Sequence, residues 1–165
     1  MVKSQVSNRP PGQAERYLLS QWLELRFPND RALIQVRLAK PAPKIQTECL
    51  EFAALKALGN SRRFADALIV KPDRLILIEA SIPPDPGYIS RLLLYKELIP
   101  KTPDVQFPTD LPVEMIYLIA FEDPVVSKLA RQAGIKVEIY QPDWVIQYAN
   151  ERYLRKFQKS RTGGL

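Results

Sequence analysis

The sequence predicts an α/β domain in which a mixed central β-sheet is flanked by helices. Three observations predict it. Segments with helical spacing of apolar residues alternate with strand-like segments, the two halves of a hairpin at 63–80 are apolar on both faces, and prolines fall between the periodic segments. Strands that are apolar on both faces belong in the middle of a sheet that is covered on both sides.

The elements follow one another in the order α-β-α-β-β-α-β-α-β-α. Turn and cap residues set their limits: Pro28 ends the first helix, Thr47 is an N-cap for the second, and Asp123 followed by Pro124 begins the fourth. The predicted helices are 12–27, 47–58, 88–98, 123–134 and 143–159, and the predicted strands are 31–38, 63–70, 74–80, 113–121 and 135–140.

The chain of 165 residues has the length of a single domain with a sizeable core. Residues 1–11 are polar, end in two prolines and are expected to form a flexible N-terminal arm. Residues 12–159 are expected to form the domain, with a basic amphipathic terminal helix over 146–159, and residues 160–165 form a tail. No internal repeat is visible.

The composition excludes several classes of chemistry. With no histidine and a single cysteine, the chain has no intramolecular disulfide, no cysteine-based zinc site and no Ser-His or Cys-His catalysis. Any metal must be held by oxygen ligands, which favours magnesium, manganese or calcium. No apolar segment approaches the length that spans a bilayer and no signal peptide is present, so we expect a soluble, intracellular protein that is either cytoplasmic or associated with a virion.

The positive charge is concentrated near the end of the chain. The formal net charge is +6, and residues 152–161 contain five cations and no acid: Arg152, Arg155, Lys156, Lys159 and Arg161. Two interpretations stay open, namely a solvated basic tail and a surface that contacts the phosphates of a nucleic acid.

Two carboxylates in the hairpin are the first candidate site residues. If Pro72-Asp73 is a two-residue turn, paired residue numbers add to 145, and Asp66 lies directly opposite Glu79. Cross-strand neighbours are about 5 Å apart at Cβ, which is close enough for both carboxylates to bind one divalent cation.

A buried carboxylate without a partner is unfavourable, so something must compensate Asp66. One possibility is a divalent cation. The other is an ordinary buried ion pair with Arg62, Arg63 or Arg91, with Glu79 paired in the same way. The sequence leaves both open.

The order of these elements and motifs resembles the PD-(D/E)XK nuclease superfamily, which has the restriction-endonuclease-like fold. The resemblance covers roughly residues 12–121. Its motifs are matched by Phe64-Ala65-Asp66-Ala67 and Glu79-Ala80-Ser81 on the hairpin, by Gly12-Gln13-Ala14-Glu15 for an accessory glutamate on the first helix, and by Arg91-Leu92-Leu93-Leu94-Tyr95 for a Gln-x-x-x-Tyr signature with arginine in place of glutamine.

The resemblance implies a site for magnesium or manganese formed by Glu15, Asp66 and Glu79 with the carbonyl of Ala80. It also places Ser81 in the catalytic site, at the position of the family's lysine. That lysine helps to activate water and stabilises charge on the phosphate, and serine supplies no cation. Catalysis is therefore expected to be weakened or lost.

The resemblance further implies DNA as the partner. Phosphate contacts are expected from Arg91, Tyr95, Arg152, Arg155, Lys156 and Lys159. The alternative is a catalytically inactive structural or assembly component, for example of a phage particle or a DNA-processing complex, with protein partners or self-association. An enzyme needs Glu15, Asp66 and Glu79 to converge around room for a cation, whereas a structural protein can have Arg91 in that space.

Overall fold

The computed structural model of the protein describes residues 11–38, 64–102 and 107–154. The elements are α1 (Pro11–Arg26), β1 (Arg31–Arg37), β2 (Phe64–Val70), β3 (Leu75–Ser81), α2 (Gly87–Leu98), β4 (Val113–Ile119), α3 (Pro124–Gln132), β5 (Lys136–Ile139) and α4 (Asp143–Ala149), with a short 3-10 turn at Ile99–Lys101. The predicted helix at 47–58 and most of the predicted arm and tail lie outside the described residues.

The sheet is mixed, as predicted. Its strand order is β1-β2-β3-β4-β5, with antiparallel pairing from β1 to β3 and parallel pairing from β3 to β5. All residues of the central strand β3 are buried, in agreement with its apolar character on both faces.

The β2–β3 hairpin has the predicted two-residue turn. The Lys71 N–H donates to the Arg74 carbonyl at 3.0 Å, which closes the turn around Pro72 and Asp73. The register runs from Val70 opposite Leu75 to Ala67 opposite Ile78, so the predicted pairing is confirmed over these residues.

Helices cover both faces of the sheet. On one face, α1 packs Leu19 and Trp22 against strand residues such as Ile78, and α4 adds its own buried residues beside α1. On the other face, α2 and α3 contribute Leu92 and Ala130 to a core around Leu77. No helix in the described part of the chain is long and apolar enough to cross a membrane.

The helix ends agree with the cap residues in one case and differ in another. Asp123 caps α3 as predicted, because its Oδ1 accepts the N–H groups of Val125 and Val126 at 2.8 and 3.1 Å. The terminal helix differs from the prediction: the regular α-helix ends at Ala149 and continues as a π-helical turn over Asn150–Leu154. Asparagine is a weak helix former, which suits this change of geometry.

Candidate active site

Asp66 and Glu79 meet at the open end of the hairpin, where β2 and β3 separate. The ladder between the strands stops after Ala67 and Ile78. Beyond it, the Asp66 N–H donates to Glu79 Oε1 at 3.1 Å, and the Ala80 N–H donates to Asp66 Oδ2 at 3.0 Å. The two carboxylates therefore take the place of backbone carbonyls as acceptors and tie the strands together.

Arg91 on α2 lies against Glu79. Its Nη1 is 3.5 Å from Glu79 Oε2, and the Glu79 side chain is 0% exposed whereas that of Arg91 is 54% exposed. Glu79 Oε2 has no hydrogen-bond partner, so the pair is an electrostatic contact without a well-directed hydrogen bond. The arginine contact that one of the two alternatives predicts is therefore present for Glu79.

Arg91 is held in position by an aromatic stack. Its guanidinium lies 4.8 Å from the centre of the Tyr88 ring, and Tyr88 stacks on Tyr117 of β4 with ring centres 5.5 Å apart and planes 11° apart. Tyr117 in turn hydrogen-bonds to Ser81, because the two hydroxyl oxygens are 2.7 Å apart. The stack thus connects the arginine to the end of β3.

Ser81 faces this stack. It is 1% exposed, and its hydroxyl is bonded to Tyr117. The Tyr117 oxygen also accepts the Asp85 N–H at 2.8 Å and lies 3.1 Å from the Asp85 carbonyl. Ser81 is therefore part of a buried hydroxyl network.

Glu15 on α1 reaches the end of β3 from the other side. Its carboxylate accepts the N–H of Ile82, and its negative charge acts on that of Asp66. Within the described residues, no group of three or more acidic, histidine or cysteine side chains is placed to hold a metal ion. Glu15 thus lies near the hairpin carboxylates without completing a metal-binding cluster with them.

The pKa values of all three carboxyl groups lie above their ordinary values. Burial raises the pKa of Glu79 to about 8, and the negative charge of Asp66 adds to this, against smaller opposing effects of the Asp66 N–H and Arg91. Burial also raises the pKa of Asp66 and of Glu15. Negative charge at the site is therefore only partly compensated by its surroundings.

The carboxylate oxygens of Asp66 and Glu79 are of the ligand type that magnesium and manganese prefer. The groups that already contact these oxygens would compete with a metal ion. Three of the four hairpin carboxylate oxygens accept N–H groups, and the fourth faces the Arg91 guanidinium. Oxygen ligands suit these ions, yet a metal ion next to Glu79 would have to share its place with a cation. The carboxylates would therefore bind such an ion only with Arg91 displaced from Glu79.

The other predicted contact residues are spread around the site. Tyr95 is 5% exposed and packs in the core beneath its helix, α2. The Arg152 guanidinium lies 5.8 Å from the Tyr148 ring, and its charge acts on Glu15. The remaining predicted cations lie outside the described residues: Arg155, Lys156 and Lys159, as do Arg62 and Arg63.

Sequence reasoning missed three residues of the site. Gln35 on β1 donates its amide to Asp66 Oδ1 at 3.3 Å, and Arg16 on α1 donates to Gln35 Oε1 at 3.5 Å. The third residue is Tyr88, whose ring packs against the Arg91 guanidinium. Only Tyr88 had a signal, because it lies three residues before Arg91 on one helix face.

No protein-family model matches the chain, and no curated protein does. Among solved structures, the chain is similar to the crystal structure of a repair endonuclease from Pyrococcus abyssi, with 10% sequence identity and a TM-score of 0.47. The likeness covers 82% of this chain and 49% of the other, so the chain spans about half the length of that protein. The strand order and the helices of this chain by themselves define a mixed α/β fold.

Proposed function

We propose that this chain is a DNA-associated protein of the PD-(D/E)XK nuclease type in which phosphodiester cleavage is weakened or lost. The observation that carries the proposal is the Arg91–Glu79 ion pair. A guanidinium stays protonated at all relevant pH values, so Arg91 places a positive charge beside Glu79 but cannot act as a base.

Two further contacts support loss of cleavage. Ser81 is bonded to Tyr117 and buried, so it is not directed at a water molecule near the carboxylates. Glu15 is engaged with Ile82. Neither side chain supplies the positive charge that a lysine would place beside the scissile phosphate.

DNA is the proposed partner because arginines from three elements surround the acidic centre. Arg16 and Arg91 act electrostatically on Asp66, and Arg91 and Arg152 act on Glu15. Arg16 is exposed, and Arg91 and Arg152 are partly so. Guanidinium groups with free N–H donors suit phosphate oxygens, and a net charge of +6 favours a polyanion.

A second candidate function is a magnesium- or manganese-dependent phosphodiesterase. It is favoured by the buried Glu79 Oε2, which has no hydrogen bond, and by the exposure of half of the Arg91 side chain. In this candidate Arg91 turns from Glu79 to a phosphate of bound DNA, which leaves the carboxylates to the ion.

The experiment combines binding and cleavage in the same samples. Fluorescently labelled linear DNA and supercoiled plasmid are incubated with the protein at millimolar magnesium or manganese, with Asp66→Ala alongside. We expect the unmodified protein and Asp66→Ala to bind DNA equally well and neither protein to nick it. Nicking that Asp66→Ala loses supports the second candidate instead. Absence of DNA binding contradicts both and points to a structural or assembly component with protein partners.

A further inference from the structure

Gln35 has an unfavourable backbone conformation in the middle of a strand. Its φ is +53°, and among the described residues it is the only non-glycine residue with a positive φ. A side chain at this φ approaches its own backbone, and asparagine, aspartate and glycine are the usual residues there. A glutamine held in this conformation requires an explanation from its surroundings.

The strain is confined to one residue. Ile34 pairs with Ala67 and Val36 pairs with Ala65, so the ladder between β1 and β2 has the same register on either side of Gln35. This register places Gln35 opposite Asp66. The residue with the positive φ, Gln35, is therefore the residue of β1 that faces the candidate site.

The side chain of Gln35 is fixed at both ends. Its Nε2 donates to Asp66 Oδ1 at 3.3 Å, while its Oε1 accepts from Arg16 Nη2 at 3.5 Å. Asp66 Oδ2 accepts the Ala80 N–H. Both oxygens of Asp66 therefore have a donor, and Gln35 provides the one that does not come from the hairpin.

We propose that Gln35 is the positioning residue of the acidic site: its strained backbone directs the side-chain amide at Asp66, and Arg16 orients that amide. Loss of Gln35 would leave one oxygen of Asp66 without a donor and allow the carboxylate to rotate. This inference goes beyond the proposed function, since it holds whether or not the site cleaves DNA.

The test compares alanine and glycine at two positions of β1. Gln35→Ala and Gln35→Gly both remove the amide, but glycine tolerates a positive φ. We expect the Tm of Gln35→Gly to exceed that of Gln35→Ala by about 2–4 °C. At Ala32, an exposed residue with no positive φ, we expect the opposite order, with Ala32→Gly less stable than the unmodified protein.

A spectroscopic readout separates a positioning role from a purely structural one. The Ala80 amide proton reports on Asp66 because it is bonded to Asp66 Oδ2. In 15N-labelled protein we expect its chemical shift to change in both Gln35 variants and to stay in place in Ala32→Gly. An unchanged Ala80 resonance in the Gln35 variants overturns the proposal. Equal Tm values for Gln35→Ala and Gln35→Gly overturn the claim of strain. Neither readout involves DNA or metal, so the outcome is independent of the proposed function.

Discussion

At the residue scale, Glu79 decides the electrostatics of the site. It is fully buried, one of its oxygens is bonded to a backbone N–H, and the other faces a guanidinium at 3.5 Å. Half of the Arg91 side chain is exposed, so its charge is partly screened by water. Arg91 therefore compensates Glu79 incompletely, and the pKa of Glu79 stays raised.

This predicts that stability falls with rising pH. The pKa of Glu79 is about 8 in the folded protein and 4.5 in the unfolded chain, so the folded state binds more protons between these values. Stability is then lost as pH rises from about 5 to 8. Glu79→Gln should remove much of this dependence, with a gain of about 2–4 kcal/mol at pH 8.5.

The measurement is urea unfolding at pH 5 and pH 8.5. Glu97→Gln, which changes an exposed residue of α2, is the control and should follow the unmodified protein. Equal stability of the unmodified protein at the two pH values would contradict the assignment of a raised pKa to Glu79.

Ser81 and Tyr117 give a second prediction at this scale. Their hydroxyl groups are 2.7 Å apart and Ser81 is buried, so Ser81→Ala should lower stability by about 1 kcal/mol. The double mutant with Tyr117→Phe should cost less than the two single mutants together, because both remove the same hydrogen bond. Strict additivity in thermal unfolding would show that this bond contributes nothing.

At the element scale, the hairpin was predictable and the surroundings of its carboxylates were only partly so. Two apolar segments around Pro72-Asp73 specify the turn, and the turn sets the register that brings Asp66 to Glu79. Arg91 could be named because it lies on the helix that follows. The partner of Asp66 on β1 could not, since β1 and β2 are separated by residues 38–63 and no local signal fixes their register.

Helix caps allow a test at the same scale. Asp123 Oδ1 accepts two N–H groups at the start of α3, so Asp123→Ala should lower the stability of the protein by about 1 kcal/mol. Asp123→Ser keeps an acceptor and should restore most of the loss. Thermal unfolding of the three proteins measures this, and equal Tm values for alanine and serine would contradict the role of the cap.

At the scale of the whole molecule, the arginines around the acidic centre predict salt-dependent DNA binding. Each phosphate contact contributes about 0.9 to the slope of log K against log salt concentration. Arg16→Ala and Arg152→Ala should each weaken binding and lower that slope by about one. Arg131→Ala is the control, because the Arg131 guanidinium is paired with Glu122. If the slope does not change in Arg16→Ala and Arg152→Ala, DNA binds at another surface of the protein or does not bind at all.

The central claim is that Arg91 takes the place of a cation beside Glu79. Calorimetric titration of manganese into the unmodified protein, Arg91→Met and Lys96→Met tests it most directly, because both variants remove one positive charge from α2. The account predicts binding by Arg91→Met alone, and loss of that binding when Asp66→Ala is added. The claim would be contradicted if the unmodified protein binds manganese and Asp66→Ala abolishes this binding.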